Sequence, residues 1–267
     1  MKNLLALTLL LAFALARPAA AQTRRSVYGW QLWPELQAEL ALTGSDYLLL
    51  AVRGQRNTDN NLYYQTRFLG FDERRVSAAY EHFWTAHWSG GATLGYVSAN
   101  NFYVLVPELL LRHRSPLGPL TFGQRLSFER AIPSPAGATS QNFARLRLDL
   151  EKVLPVGRLA LRPRLSYQAE TRVRFLKAEN EPEERAIQFT SLRGEVGCRL
   201  SPSFDFTPWV AYQTTYSLGL AQTDSNGTIT IPAGRVNSVS PVLGIDLRFT
   251  ILQGADAAAR QSLPTQH

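Results

Sequence analysis

The sequence predicts an all-β fold, an antiparallel barrel of about twelve strands with ten as the alternative count, and three observations predict it. Apolar and charged residues alternate with a period of two in stretch after stretch; the stretches run to ten residues or more; turn-forming residues separate them. A period of two belongs to a strand, whose successive side chains point to opposite faces. Strands this long exceed the five or six residues usual in soluble sheets. The 267 residues include 28 Lys+Arg, 21 Asp+Glu and one cysteine, with 45% hydrophobic residues, which excludes a disordered tail and a disulfide scaffold.

The chain opens on a targeting segment. Lys2 supplies a positive start, Leu4 to Ala16 form an apolar run, and Arg17-Pro18 break it before Ala19-Ala20-Ala21. This predicts a signal peptide over 1–21, cut before Gln22, because the run falls short of the ~20 residues a membrane helix needs. Residues 22–253 would form the barrel and 254–267 a polar tail. Export also accounts for the single Cys198, read as a small apolar residue on a strand.

The strands are expected at 29–42, 46–56, 62–71, 74–84, 89–98, 102–113, 119–130, 142–153, 159–172, 187–200, 205–217 and 236–251. In the first, Gln31, Glu35, Gln37 and Glu39 oppose Trp30, Leu32, Leu36, Leu40 and Leu42. In 142–153, Arg145, Arg147, Asp149 and Glu151 oppose Ala144, Leu146, Leu148 and Leu150. After Pro155-Val156-Gly157, Arg162, Arg164, Ser166, Gln168, Glu170 and Arg172 oppose Leu159, Leu161, Leu165, Tyr167 and Ala169. Arg193, Glu195 and Arg199 then oppose Leu192, Val196, Cys198 and Leu200, and the last strand sets Ser240, Asp246 and Arg248 against Val239, Leu243, Ile245, Leu247 and Phe249. Pro34, Pro107, Pro163, Pro208 and Pro241 fall inside strands, where each removes a ladder hydrogen bond; bulges are expected there.

An exported chain of long alternating strands reads as an outer-membrane barrel, with its apolar face toward lipid and its polar face toward the lumen. The turns at 84–88, 115–118, 155–157 and 201–203 would lie at the periplasmic end with both termini, and the connections 131–141, 173–186 and 218–235 would face outward. On that topology Trp30, Trp33, Trp84, Trp88 and Trp209 would form a periplasmic girdle, and Tyr47, Tyr96, Tyr103 and Tyr216 an outer one.

The segments Gly123-Gln124-Arg125-Leu126-Ser127-Phe128-Glu129-Arg130 and Asn142-Phe143-Ala144-Arg145-Leu146-Arg147-Leu148, with Trp30, Arg53 and Gly95-Tyr96, resemble an uncharacterised family of outer-membrane β-barrel-like proteins of Gram-negative bacteria, a domain-of-unknown-function family with Arg/Glu-rich middle strands. The resemblance implies fold and location, not a reaction. Barrels of this kind often finish on an aromatic; here Phe249 and Ile251 close the last strand and a polar tail follows.

Parity also assigns the lumen. Ten arginines, Arg53, Arg125, Arg145, Arg147, Arg162, Arg164, Arg172, Arg193, Arg199 and Arg248, face ten acids, Glu35, Glu39, Glu81, Glu108, Glu129, Asp149, Glu151, Glu170, Glu195 and Asp246. Balanced sets favour cross-strand bridges that fill a narrow interior over an open anion pore. The candidate site is this charge network, centred on Arg125, Glu129, Arg145, Arg147, Asp149, Glu151, Arg162, Arg164, Glu170, Arg193 and Glu195, with binding of an anionic solute or lipid head group as its sharper alternative. The expected role is a structural barrel or a narrow passage for small solutes, in contact with outer-membrane lipid, with a small solute or surface partner at the outer loops and no nucleic acid. A lipid-modifying hydrolase is the alternative from another class. Parity places no Ser or Asp beside His82, His87 or His113, so no catalytic residue is assigned. No cofactor or metal is expected either, since Glu179, Glu181, Glu183 and Glu184 read as a solvated loop.

Overall fold

A computed structural model describes residues 24–252 apart from 43–45, 60–68, 100–101, 136, 158, 175–184, 220 and 232. The expected signal segment, the expected tail and the four loop glutamates lie outside the described residues. Eleven strands close into a barrel: β2 (Gln31–Ala41), β3 (Tyr47–Asn57), β4 (Glu73–Phe83), β5 (Trp88–Ala99), β6 (Phe102–Leu117), β7 (Leu120–Pro133), β8 (Gln141–Glu151), β10 (Leu159–Val173), β11 (Phe189–Ser201), β12 (Phe204–Gly219) and β15 (Gly234–Leu252). Each pairs antiparallel with the next, and β15 closes on β2 in parallel, Val242 opposite Gln31 through Leu252 opposite Ala41. Short β1 (Arg24–Val27) lies on β15 ahead of β2, and β9 (Leu154–Val156) continues the line of β8 along β10. A small hairpin of β13 (Gln222–Thr223) and β14 (Ile229–Ile231) stands off the barrel in the connection before β15.

The count corrects the expected twelve, and the ten, to eleven. The surplus strand at 62–71 is the cause: 62–68 lie outside the described residues, Leu69 and Gly70 form a turn with φ of 52° and 79°, and β3 pairs directly with β4. Removing one strand reverses the two before it. An odd number of passes makes the first and last barrel strands parallel, so Arg24 and Leu252 stand at opposite ends of the barrel, not together. The tight connections after β4, β6, β9 and β11 all lie at one end, and the longer ones after β7, β10 and β12 at the other. Gly118 and Gly157 take positive φ of 59° and 60° in two of the tight turns, where a side chain would be strained.

Burial alternates along the strands. Outward residues such as Leu50, Leu94, Leu109, Leu165 and Val210 are exposed, Leu109 to 66%, whereas Glu35, Gln37, Arg53, Glu81, Arg112, Asp205 and Asp246 are buried inside. The barrel is therefore apolar outside and charged within, the reverse of a soluble one. Five prolines face outward, and four of them leave the register in step. The ladder merely skips two adjacent pairs at Pro34, Pro107 and Pro208, and at Pro163 it parts β8 from β9. A strand residue bonds one neighbour at a time, so a proline costs one N–H hydrogen bond to one neighbour and no shift. Of the five, Pro241 lies beside a slip of one residue, between Val27 opposite Val239 and Gln31 opposite Val242.

The aromatic girdles keep some members and lose others. Trp84 and Trp88 are exposed at the tight-turn end, and Tyr96 stacks on Tyr103 at the long-loop end with ring centroids 5.6 Å apart. Tyr216 is at that end too, where Arg185 lies over its ring. Trp30, exposed, belongs to the long-loop end because β2 runs the other way. Trp33 and Trp209 point inward and meet edge to face at 6.0 Å, and Tyr47 is buried inside the tight-turn end against Phe83.

Candidate functional site: the charged lumen

Register decides who pairs with whom. Arg164 on β10 lies directly opposite Glu195 on one side and Glu151 on the other. Its guanidinium hydrogen-bonds Glu195 and reaches Asp149 at 3.8 Å and Glu151 at 4.0 Å. Glu195 also accepts from Arg193 Nε at 2.7 Å, and Arg193 Nη2 donates to Asp246 at 2.8 Å. Asp246 in turn accepts from the Trp209 indole at 2.8 Å, so one chain of contacts runs from β8 to β15.

A second cluster gathers on β6, β7, β8 and β10. Arg145 donates to Glu129 at 3.0 Å and to Glu170, its directly opposite neighbour, at 2.8 Å, and stands 3.9 Å from Glu108. Arg125 donates to Glu108 at 2.7 Å. Glu108 and Glu129 face each other across β6–β7, a like-charge pair that only the two arginines make tolerable. Toward the tight-turn end Arg162 and Arg199 share Asp205, and Arg248 joins Glu39 at 3.4 Å and Gln37 at 2.7 Å.

Of the eleven residues in the predicted network, ten make these contacts. Arg147 differs: it is buried, and its one hydrogen bond among the described residues is to Ser166 Oγ at 3.4 Å. Sequence reasoning missed four participants. Arg112 on β6 grips Glu81 with two bonds of 2.7 and 2.9 Å, and Ser89 donates to the same carboxylate at 2.6 Å. Asp205 and the inward Trp209 were missed as well. Arg112 was hidden because Val106 and Leu110 on its own face are apolar, which blurs the alternation in β6.

The tight-turn half of the lumen is filled by these bridges. In the long-loop half a cavity of about 260 Å³ is left, bounded by Trp33, Trp209, Phe189 and several arginines. Gly244 is opposite Trp209, and a Cβ there would sit 2.0 Å from the indole ring, so glycine lets the ring lie flat on the wall.

The histidines have partners of their own outside the lumen. His82 Nδ1 lies 2.8 Å from Asp46 Oδ1, and Tyr80 donates to the other oxygen at 2.5 Å. Burial pushes the Asp46 carboxyl up, but the Tyr80 and His82 hydrogen bonds outweigh it and hold the group below its usual range. Continuing the β3–β4 register past Tyr47–Glu81 puts Asp46 opposite His82, a pairing the surplus strand concealed. His87 contacts the Arg114 carbonyl at 2.9 Å and His113 packs on Trp88 at 4.4 Å. Among the described residues no group of acids, histidines and cysteine has the spacing to hold a metal.

Fold and site together define a closed barrel with an apolar outer wall and an ion-paired lumen. Compared with known proteins, the chain matches no family model and no curated sequence.

Proposed function

We propose that this chain is an exported outer-membrane β-barrel whose lumen is a narrow, largely filled passage that admits small solutes from the long-loop side. The observation that carries the reading is the outward apolar face. Exposed leucines, valines and aromatics encircle the barrel, far beyond the few hundred Å² of contiguous apolar surface a soluble monomer tolerates. Even an eleven-residue strand, at about 3.3 Å per residue and a tilt of ~40°, rises roughly 28 Å, enough for an apolar band of ~25 Å. Aromatics at both rims and the gathering of the longest connections at one end support the same reading. The odd strand count stands apart from the even number usual in single-chain bacterial barrels.

Eight strands leave an interior that side chains just fill and sixteen leave a water channel. Eleven fall between, and here long arginines take up the difference. Planar-bilayer recording tests this: the refolded chain should insert and conduct little, and replacing Arg145, Arg147, Arg162 and Arg164 together by Ser should open or enlarge a conductance. Failure to insert would overturn the membrane reading; a large steady conductance of the unaltered chain would overturn the filled lumen.

A further inference from the structure

We propose that the lumen cavity is a binding site for a small organic anion, a carboxylate carried on a flat apolar body. This deepens the passage reading and rests on its barrel, though not on its membrane. Five arginines and three glutamates line the cavity, and of these arginines Arg145 already holds Glu129 and Glu170 and Arg193 holds Glu195 and Asp246, so a ligand anion needs a guanidinium that no carboxylate grips. Arg147 supplies one. It is 4% exposed, lines the cavity, and has Arg125 and Gln168 as its directly opposite neighbours, so the ladder offers it no carboxylate. Among the described residues it makes no ion pair, and its bond to Ser166 is long.

Across the cavity, Arg53 and Arg75 are directly opposite each other on β3–β4, and both line the same space. Directly opposed like charges destabilise a sheet. Arg53 has Glu35 as its other opposite neighbour and Arg125 holds Glu108, so it is the Arg147 guanidinium that an anion in the cavity would relieve, since a guanidinium takes a carboxylate in a two-pronged grip. The remaining wall is aromatic. Arg53 lies 4.6 Å over the Trp33 ring and Arg193 3.9 Å over Trp209, which fixes both rings against the space, and Phe189 adds a third. An uncharged or cationic solute would leave the Arg147 guanidinium unanswered, whereas a bulkier anion exceeds the volume.

The test titrates the full chain, refolded in detergent micelles, with sodium benzoate and with uncharged benzamide by calorimetry, while following tryptophan emission. Benzoate should bind saturably and change the emission; benzamide should do neither. Arg147→Gln should weaken benzoate by about tenfold or more. Its thermal transition should stay in place or rise, because no carboxylate loses a partner, whereas Arg164→Gln should lower it. No saturable benzoate binding, equal binding of benzamide, unchanged affinity in Arg147→Gln, or a transition that falls as in Arg164→Gln would each overturn the proposal. No bilayer enters the measurement, so failure here and failure of the membrane reading are told apart.

Discussion

Glu195 shows what a single residue carries in this interior. It accepts from both Arg164 and Arg193, and all three side chains are almost wholly buried. Burying three charges is costly, and only mutual pairing offsets it; without the shared carboxylate Arg193 keeps Asp246, but Arg164 is left with Asp149 and Glu151 at 3.8 and 4.0 Å and a buried positive charge is no longer matched. Glu195→Gln is expected to destabilise the folded barrel by about 3–5 kcal/mol, read from the urea midpoint of unfolding in micelles. A shift no larger than that of a surface substitution would mean the bridge is not coupled to folding. At this scale the sequence was informative wherever a lumen face was wholly polar. In β8, β10 and β11, parity alone identified the inward arginines and acids, because Leu146, Leu148 and Leu150 left no ambiguity about the other face. It could not say that Arg147 lacks a carboxylate, since that depends on which residue of β7 and β10 lies opposite, a matter of register.

The strand is the unit at which the outer wall is tested. Leu148 faces outward near the centre of the line formed by β8 and β9, while its neighbour Arg147 faces in. In a lipid-embedded barrel, Leu148→Arg should cost ~2–4 kcal/mol, the range for a charge near the bilayer midplane. Unfolding in phospholipid vesicles measures it. Equal tolerance of arginine there and at the rim position Leu117 would contradict a lipid-facing wall. Strand-level reading succeeded for eleven of the twelve expected spans but failed at 62–71, where polar residues follow Asn57 and a single sequence carries no register. The same limit explains Pro34, Pro107, Pro163 and Pro208: sequence shows that each removes a donor, whereas the outcome, a gap in an unshifted ladder, depends on which side of the strand that donor would have faced.

Closure belongs to the whole molecule. The seam joins β2 to β15, and Arg248 crosses it to Gln37 and Glu39, positions more than two hundred residues away in sequence. Neither edge is covered until the last strand is in place. A chain ending after Gly234 should therefore fail to give the compact, heat-sensitive band that closed barrels show on unboiled gels; a compact band from that truncation would mean that ten strands close without β15. The miscount had its largest effect at this scale. One surplus strand left the identity of the tight-turn end intact but turned the first two strands around, and with them Trp30, Trp33 and Tyr47.

The odd number of passes also gives the molecule the geometry of a rivet. A polypeptide that threads its wall an even number of times starts and finishes on the same face, whereas this one presents Arg24 on one face and Leu252 on the other. If the barrel spans a membrane as proposed, reporter groups fixed at those two positions would sit in different compartments, joined through the sheet by the barrel.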